Sequence, residues 1–402
     1  IDLDASYAPV VGLECCLGIR PESVLFVDRD HKSAVPVTVE AKTPLNEKTV
    51  NLCLTARGRE IMASRPSGTQ GPAGGEAFVA IEAASALIFD KQTGALIETN
   101  GTDISERGKN YMNDVILNLE AVDKFYGPID QGVHAVCNIS MQVSSGEIIA
   151  LLGSSGCGKT STLRMVAGFE DVSRGKISIR GREIHTLPPI QRNVAMAFEG
   201  YSLYPTVTVR DNIAFALKRG KLPAADVARK VEDIAAMLEI SDILDKYPSS
   251  ISGGQQQRAS LGRALIRDAD LYLLDEPMGQ LEPQLRTLLR GRIKSYIKEH
   301  GFTAILVTHD QTEANALADR ITVMEDGEFQ QFASPEAIKK SPANLFTGTF
   351  VGEPPMNVFP ALVNISEAAV TFKLESDVQL TYALDAFSTE LRARLATYCL
   401  LS

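Results

Sequence analysis

GSSGCGKT (Gly153–Thr160) decides how this chain is read. It fits G-x-x-x-x-G-K-[ST], the pattern of a loop that wraps phosphate. An apolar run, EIIALL (Glu147 to Leu152), leads into it, and a helix-like run, STLRMVAGF (Ser161 to Phe169), follows. That strand–loop–helix setting carries the argument. Glycines let the backbone turn tightly, so that its N–H groups converge on phosphate oxygens. The following helix aims its positive end at the same place. Gly153, Ser154, Ser155, Gly156, Cys157, Gly158, Lys159, Thr160 and Ser161 are therefore the candidate nucleotide-binding stretch. Lys159 can reach the β- and γ-phosphates, and the Thr160 hydroxyl can ligate Mg²⁺.

A second apolar run, LYLLDEP (Leu271 to Pro277), ends in two acids. Four apolar residues in a row suit a strand buried on both faces of a parallel sheet. Asp275 then lies at the strand's carboxyl end and is a candidate Mg²⁺ partner. Glu276 is placed to polarise an attacking water. A third run, TAILVTHD (Thr303 to Asp310), delivers His309 in the same way. Glu276, His309 and Lys159 are the candidate catalytic residues. Nucleotide hydrolysis asks for this kind of site, because it depends on positioning and charge stabilisation more than on covalent chemistry.

ISGGQQQR (Ile251 to Arg258) adds a third motif. With the phosphate loop, the paired acids and His309, in this order and spacing, the chain resembles the ATP-binding-cassette ATPases. Ser252, Gly253, Gly254 and Gln255 match that family's signature. The resemblance implies that the signature grips the γ-phosphate of ATP held by a second ATPase subunit, identical or different. A hydroxyl, two glycine backbones and a helix end make a suitable anion site. Tyr126, in KFYG, matches the residue that stacks on adenine. Closer still is the similarity to importer ATPases for sugars and other polar solutes, typified by the maltose importer. AFEGYSLYPTVTVRDNIAFALK (Ala197 to Lys218), THDQTEANALADR (Thr308 to Arg320) and FVGEPPMNVFP (Phe350 to Pro360) carry it.

What the resemblance implies is an α/β P-loop NTPase with a helical signature arm, flanked by all-β accessory segments of oligonucleotide/oligosaccharide-binding type. Its cofactors would be ATP and Mg²⁺, with Thr160, Glu199 and Asp275 toward the metal. Its partners would be transmembrane permease subunits and, indirectly, an extracytoplasmic solute-binding protein. It would work at the cytoplasmic face of the inner membrane as a peripheral subunit. Val227, Val231, Ile234 and Leu238 recur at helical spacing, as the arm requires.

Two departures stand out. Glu199 replaces a glutamine of the family. A carboxylate oxygen suits Mg²⁺, but it adds negative charge and loses an amide donor. MGQLEP (Met278 to Pro283) replaces a Ser-x-Leu-Asp segment, putting Gly279 for Ser and Glu282 for Asp. Both fit a chain that pairs with a different, conventional ATPase. They also keep open an alternative, a nucleotide-binding regulatory subunit with low turnover.

The order of the parts is unusual. Residues 1–98 hold short strand-like runs, VPVTVE, TVNLCLTA, EIMASRP, AFVAIEA and ALIFD, separated by turn residues. LGIRPESV (Leu17 to Val24) resembles the accessory β-domain that in the family follows the ATPase, yet here it precedes it. Residues 99–112 read as a polar linker, 113–348 as the ATPase, and 349–402 as the first part of such a β-domain, with AAVTFKLE and VQLTYAL as strands. Either residues 1–98 are the tail of a preceding ATPase unit in a tandem protein, or the N-terminal piece completes the C-terminal one. We favour the tandem.

Composition sets bounds. The net charge of −10 argues against a nucleic-acid partner. No apolar run approaches the roughly 20 residues of a spanning helix. The six cysteines show no C-x-x-C pair and no metal spacing, which reads as free thiols in a reducing compartment.

Overall fold

The computed structural model describes residues 10–99 and 115–387, apart from 32, 46–47, 70–71, 73, 82–84, 129–131, 218–221, 367 and 375–378. Most of the expected linker and Cys399 lie outside the described residues. The chain divides into two compact units, one of residues 107–335 and one made from both chain ends.

The first unit is built on a six-stranded sheet. Strands Val194–Ala197, Leu271–Asp275, Ala304–Thr308, Ile148–Gly153 and Arg320–Glu325 lie side by side in that order and all run parallel; Glu328–Ala333 closes the edge antiparallel. The strands formed by all three apolar runs are buried at every position. They lie in the middle of the sheet, where both faces are covered. Because the strands are parallel, Gly153, Asp275 and Thr308 all end at one edge. A four-stranded antiparallel sheet, with Val115–Tyr126 and Val133–Ser144 as its longest members, completes the unit.

The arm helix Ala224–Met237 follows the expected spacing. Val231, Ile234 and the capping Leu238 are buried, and Val227 is half-buried. Gly253–Leu265 is the signature helix. Pro283, in the departing MGQLEP segment, takes the first position of helix Pro283–Glu299. Proline suits that position, since its fixed φ is helical and its missing N–H would be unpaired anyway.

The second unit is all-β apart from short helices. Each strand-like run of residues 1–98 forms a strand, as do AAVTFKLE and VQLTYAL. Alternation explains their packing: Asn357–Ile365 buries every second residue nearly throughout, as a half-buried strand does. Cys15, Leu17, Ile19, Val37, Val79, Ile88, Phe359, Val363 and Phe372 share one core.

The two chain ends interleave in this unit. Val10–Ile19 pairs antiparallel with Asn357–Ile365 on one side and with Ala86–Asp90 on the other. The five other strands of residues 24–81 form their own sheet. Arg20, buried, donates from its guanidinium to the carbonyls of Gly348 (2.8 Å) and Val351 (2.5 Å). Burial pulls its pKa down. Asn357 donates to the carbonyls of Ile19 (3.2 Å) and Met62 (3.0 Å) and accepts from the Met62 N–H (2.8 Å). Gly18 has no room for a side chain, since a Cβ there would lie 2.7 Å from Met356 and Phe89.

Asn357→Leu removes three hydrogen bonds while leaving the site buried. Orphaned backbone groups cost about 1–3 kcal/mol apiece. The variant is expected to lower the urea midpoint of the β-unit by an amount equivalent to about 3 kcal/mol, with the 107–335 unit unchanged. Limited proteolysis read by mass spectrometry separates the two.

Candidate nucleotide-binding site

The phosphate loop is shaped by what its glycines must avoid. A Cβ on Gly153 would lie 2.2 Å from the Met324 carbonyl oxygen, and one on Gly158 would lie 2.4 Å from the Ala135 carbonyl oxygen. Gly158 also has φ +102° and caps the following helix, Lys159–Ala167. Lys159 is buried, and its ammonium donates to the carbonyls of Gly153 (2.8 Å) and Ser154 (2.7 Å). Its charge is thereby held at the centre of the loop. Cys157 is buried beneath, its thiol 3.7 Å from the same ammonium. Burial pushes that thiol's pKa up, which outweighs the pull of Lys159.

The strand ends bring the acids to the loop. Thr160 Oγ1 donates to Asp275 Oδ1 at 3.3 Å. Asp275 is pushed up to about 6, by burial first and then by the charges of Glu199 and Glu276, against the Thr160 hydrogen bond. A carboxylate so disfavoured by its surroundings calls for positive charge. A hydroxyl and a carboxylate oxygen are the hard donors Mg²⁺ takes, so these residues fit the metal. Glu199 is exposed and acts on Asp275 through its charge.

Glu276 stands at the turn after its strand with φ +47°. Its Oε1 meets Nδ1 of His309 at 2.9 Å. The strand ends thus bring together two of the residues that the sequence offered as catalytic candidates. Tyr126 is also at this edge: its hydroxyl is 3.1 Å from Ser161 Oγ, and Lys124 lies 4.8 Å over its ring. One ring face is engaged by a cation, and the side chain is 40% exposed, so stacking surface remains.

The signature is a capped helix start. Ser252 Oγ accepts from the Gln255 N–H (3.3 Å), and Gln255 Oε1 accepts from the Ser252 N–H (2.9 Å). This reciprocal box fixes the turn. Gly253 packs against Gln280 and Tyr201, whose hydroxyl donates to Gln280 Oε1. The hydrogen bonds just given for Ser252 and Gln255 stay within the signature and do not reach the phosphate loop.

Three neighbours of these residues escaped the sequence reading. Gln257 is buried and bonds the backbone of Glu276 and Gln280. Glu313 is buried and accepts from Thr308 Oγ1 at 2.7 Å. Arg286 ties Asp310 (3.2 Å) to the carbonyls of Gly279 and Leu281. Gln257 sits two residues beyond the recognised signature, and nothing in QQQR marks one glutamine from another. Thr-His-Asp followed by Glu three residues on is a helix-start pattern that flags Glu313 only as a cap partner.

Residues 136–279 match the family model described as ABC transporter. The oligosaccharides import ATP-binding protein MsmX of Bacillus subtilis is 43% identical over 260 residues, 63% of this chain and 70% of that protein. This chain belongs to the ABC transporter family. The trehalose import ATP-binding protein SugC of Mycobacterium tuberculosis is 45% identical over 243 residues, 60% of this chain and 61% of that protein. The chain therefore spans about three fifths of that relative's length. The dimeric ATP-binding cassette MJ0796, solved in a post-hydrolysis state with ADP and Pi, superposes with a TM-score of 0.51 at 25% identity, covering 55% of this chain and 98% of that one. The α/β cassette with a helical arm and β-rich flanking segments is thus the fold of this ABC protein. No helix among the described residues is long and apolar enough to cross a membrane.

The acid Glu313 yields a pH prediction. Burial, with the charges of Asp310 and Glu276, raises it to about 7, against the hydrogen bond from Thr308. A raised carboxyl pKa means the folded state holds the proton more tightly. Stability is then fully present below the unfolded value near 4.3 and falls as pH rises toward about 7. Glu313→Gln removes this loss. At pH 8 the variant is expected to be more stable than wild type by about 1–3 kcal/mol, with the difference vanishing near pH 4.5. Denaturation across that range checks it.

Proposed function

We propose that this ABC protein binds and hydrolyses ATP to power import of a sugar or related polar solute through separate permease subunits. The carrying observation is the Glu276 carboxylate, held against His309 at the strand edge where Thr160 meets Asp275.

Lys159 and the backbone of Gly153–Ser161 hold the phosphates, and Tyr126 stacks on the adenine. Thr160, Asp275 and Glu199 would hold Mg²⁺, which would supply charge neutralisation on the phosphates. Glu276 takes the proton of the attacking water. His309 keeps the Glu276 carboxylate aimed and contacts the γ-phosphate. Ser252, Gly253, Gly254 and Gln255 close on the ATP of a second ATPase subunit, so that two sites form between two chains. The dimeric ADP- and Pi-bound relative supports that pairing. Closure then moves the permease, with Glu199 at the coupling point, on the cytoplasmic face of the membrane.

The departures at Glu199 and Met278–Pro283 also fit pairing with a distinct ATPase subunit; turnover that stays linear in protein concentration and rises when that partner is added would support it. Residues 113–348 are the working ATPase in this reading, and the β-segments are its accessory domain. Pairing of Val10–Ile19 with Asn357–Ile365 supports one domain completed by both ends over a tail left from a preceding unit.

Phosphate release from Mg-ATP is expected to rise faster than linearly with protein concentration. Glu276→Gln is expected to lower it at least about 100-fold, the usual worth of a general base, with ATP still bound. Lys159→Ala is expected to weaken ATP binding itself. Turnover that Glu276→Gln leaves unchanged overturns the proposal.

A further inference from the structure

Glu276 combines two features that pull against each other. It is a non-glycine residue in the left-handed region, φ +47°, a conformation that persists only where its surroundings enforce it. Its carboxylate must nonetheless be aimed, since it is bonded to His309.

The surroundings that enforce it are few. The Glu276 N–H donates to the Val307 carbonyl at 3.0 Å, which continues the sheet. Its carbonyl accepts from the Gly279 N–H at 3.3 Å, a long bond within the turn. The short bond comes from elsewhere: Gln257 Nε2 donates to the same carbonyl at 2.7 Å. The other end of that amide is engaged too, Gln257 Oε1 accepting from the Gln280 N–H at 3.1 Å. Gln257 is 3% exposed and stands on the signature helix Gly253–Leu265.

We infer that Gln257 is a positioning residue, whose amide clamps the turn 276–280 and so aims the Glu276 carboxylate. The clamp needs one donor and one acceptor on a neutral group of this length. Among side chains of this length that are neutral at pH 7, the glutamine amide supplies both. Glutamate would set its carboxylate against the Glu276 carbonyl, and leucine would orphan the Gln280 N–H and leave the Glu276 carbonyl only its long bond from Gly279. Without the clamp the turn loses the bond that offsets its left-handed residue, and the carboxylate swings away from His309. This inference rests on the proposed role of Glu276 as base.

The test compares wild type, Gln257→Leu, Glu276→Gln and the double variant for phosphate release. Gln257→Leu is expected to lower kcat by about 10- to 100-fold, a fraction of the general-base effect, with KM for ATP within about threefold. Added to Glu276→Gln it is expected to cost nothing further, because both act through one group. A fully multiplicative loss, or a change confined to KM, overturns the inference. Should Gln257→Leu fail to fold, Gln257→Glu serves in its place. A second measurement does not depend on turnover: hydrogen exchange of the 276–282 segment, expected to quicken about tenfold as the Gln280 N–H loses its acceptor. Unchanged exchange overturns the inference even if Glu276→Gln shows that the base lies elsewhere.

Discussion

Carboxyl groups held at the ends of buried strands set the terms for this site. Asp275, Glu276 and Glu313 gather where the parallel strands stop, and burial there disfavours the charge of Asp275 and Glu313. Each must be answered by a donor or by added positive charge. Thr160 answers Asp275, His309 answers Glu276 and Thr308 answers Glu313. Asp275 stays raised to about 6 despite its hydrogen bond. That deficit suits the edge to the divalent cation of the proposed site, and Lys159, held close on loop carbonyls, supplies a positive charge beside it.

The sheet makes this gathering possible. Parallel strands deliver their carboxyl ends to one edge, so residues more than a hundred positions apart, Thr160 and Asp275, come within hydrogen-bonding reach. The phosphate loop tolerates no side chain at Gly153 or Gly158, because neighbouring backbone already fills the space. Shape and charge therefore come from different sources. Steric crowding shapes the loop, and buried acids charge the edge.

The β-unit follows a different logic. Its strands are half-buried and alternate, and no single one is stable alone. Val10–Ile19 fills the place between Asn357–Ile365 and Ala86–Asp90. Arg20 and Asn357 satisfy carbonyls across that seam. The tandem reading favoured from the sequence treated the chain ends as belonging to separate units. Motif order alone cannot distinguish that from mutual completion, since strand pairing is decided by hydrogen bonds and shared core between residues over 300 positions apart.

Much of the cassette was legible because its chemistry is local. Phosphate binding needs glycines, a lysine and a hydroxyl within eight residues, and buried strands announce themselves as unbroken apolar runs. The amino-acid sequence by itself determined the loop, the acid pair, the signature and the spacing of the arm helix. Only the tertiary structure decided that Glu276 adopts a left-handed backbone, that Gln257 rather than its neighbours holds it, and that the two ends share one β-core. The physical reason is common to all three. Each depends on a buried group finding its partner across a long stretch of chain, and no local pattern of residues records which partner it finds.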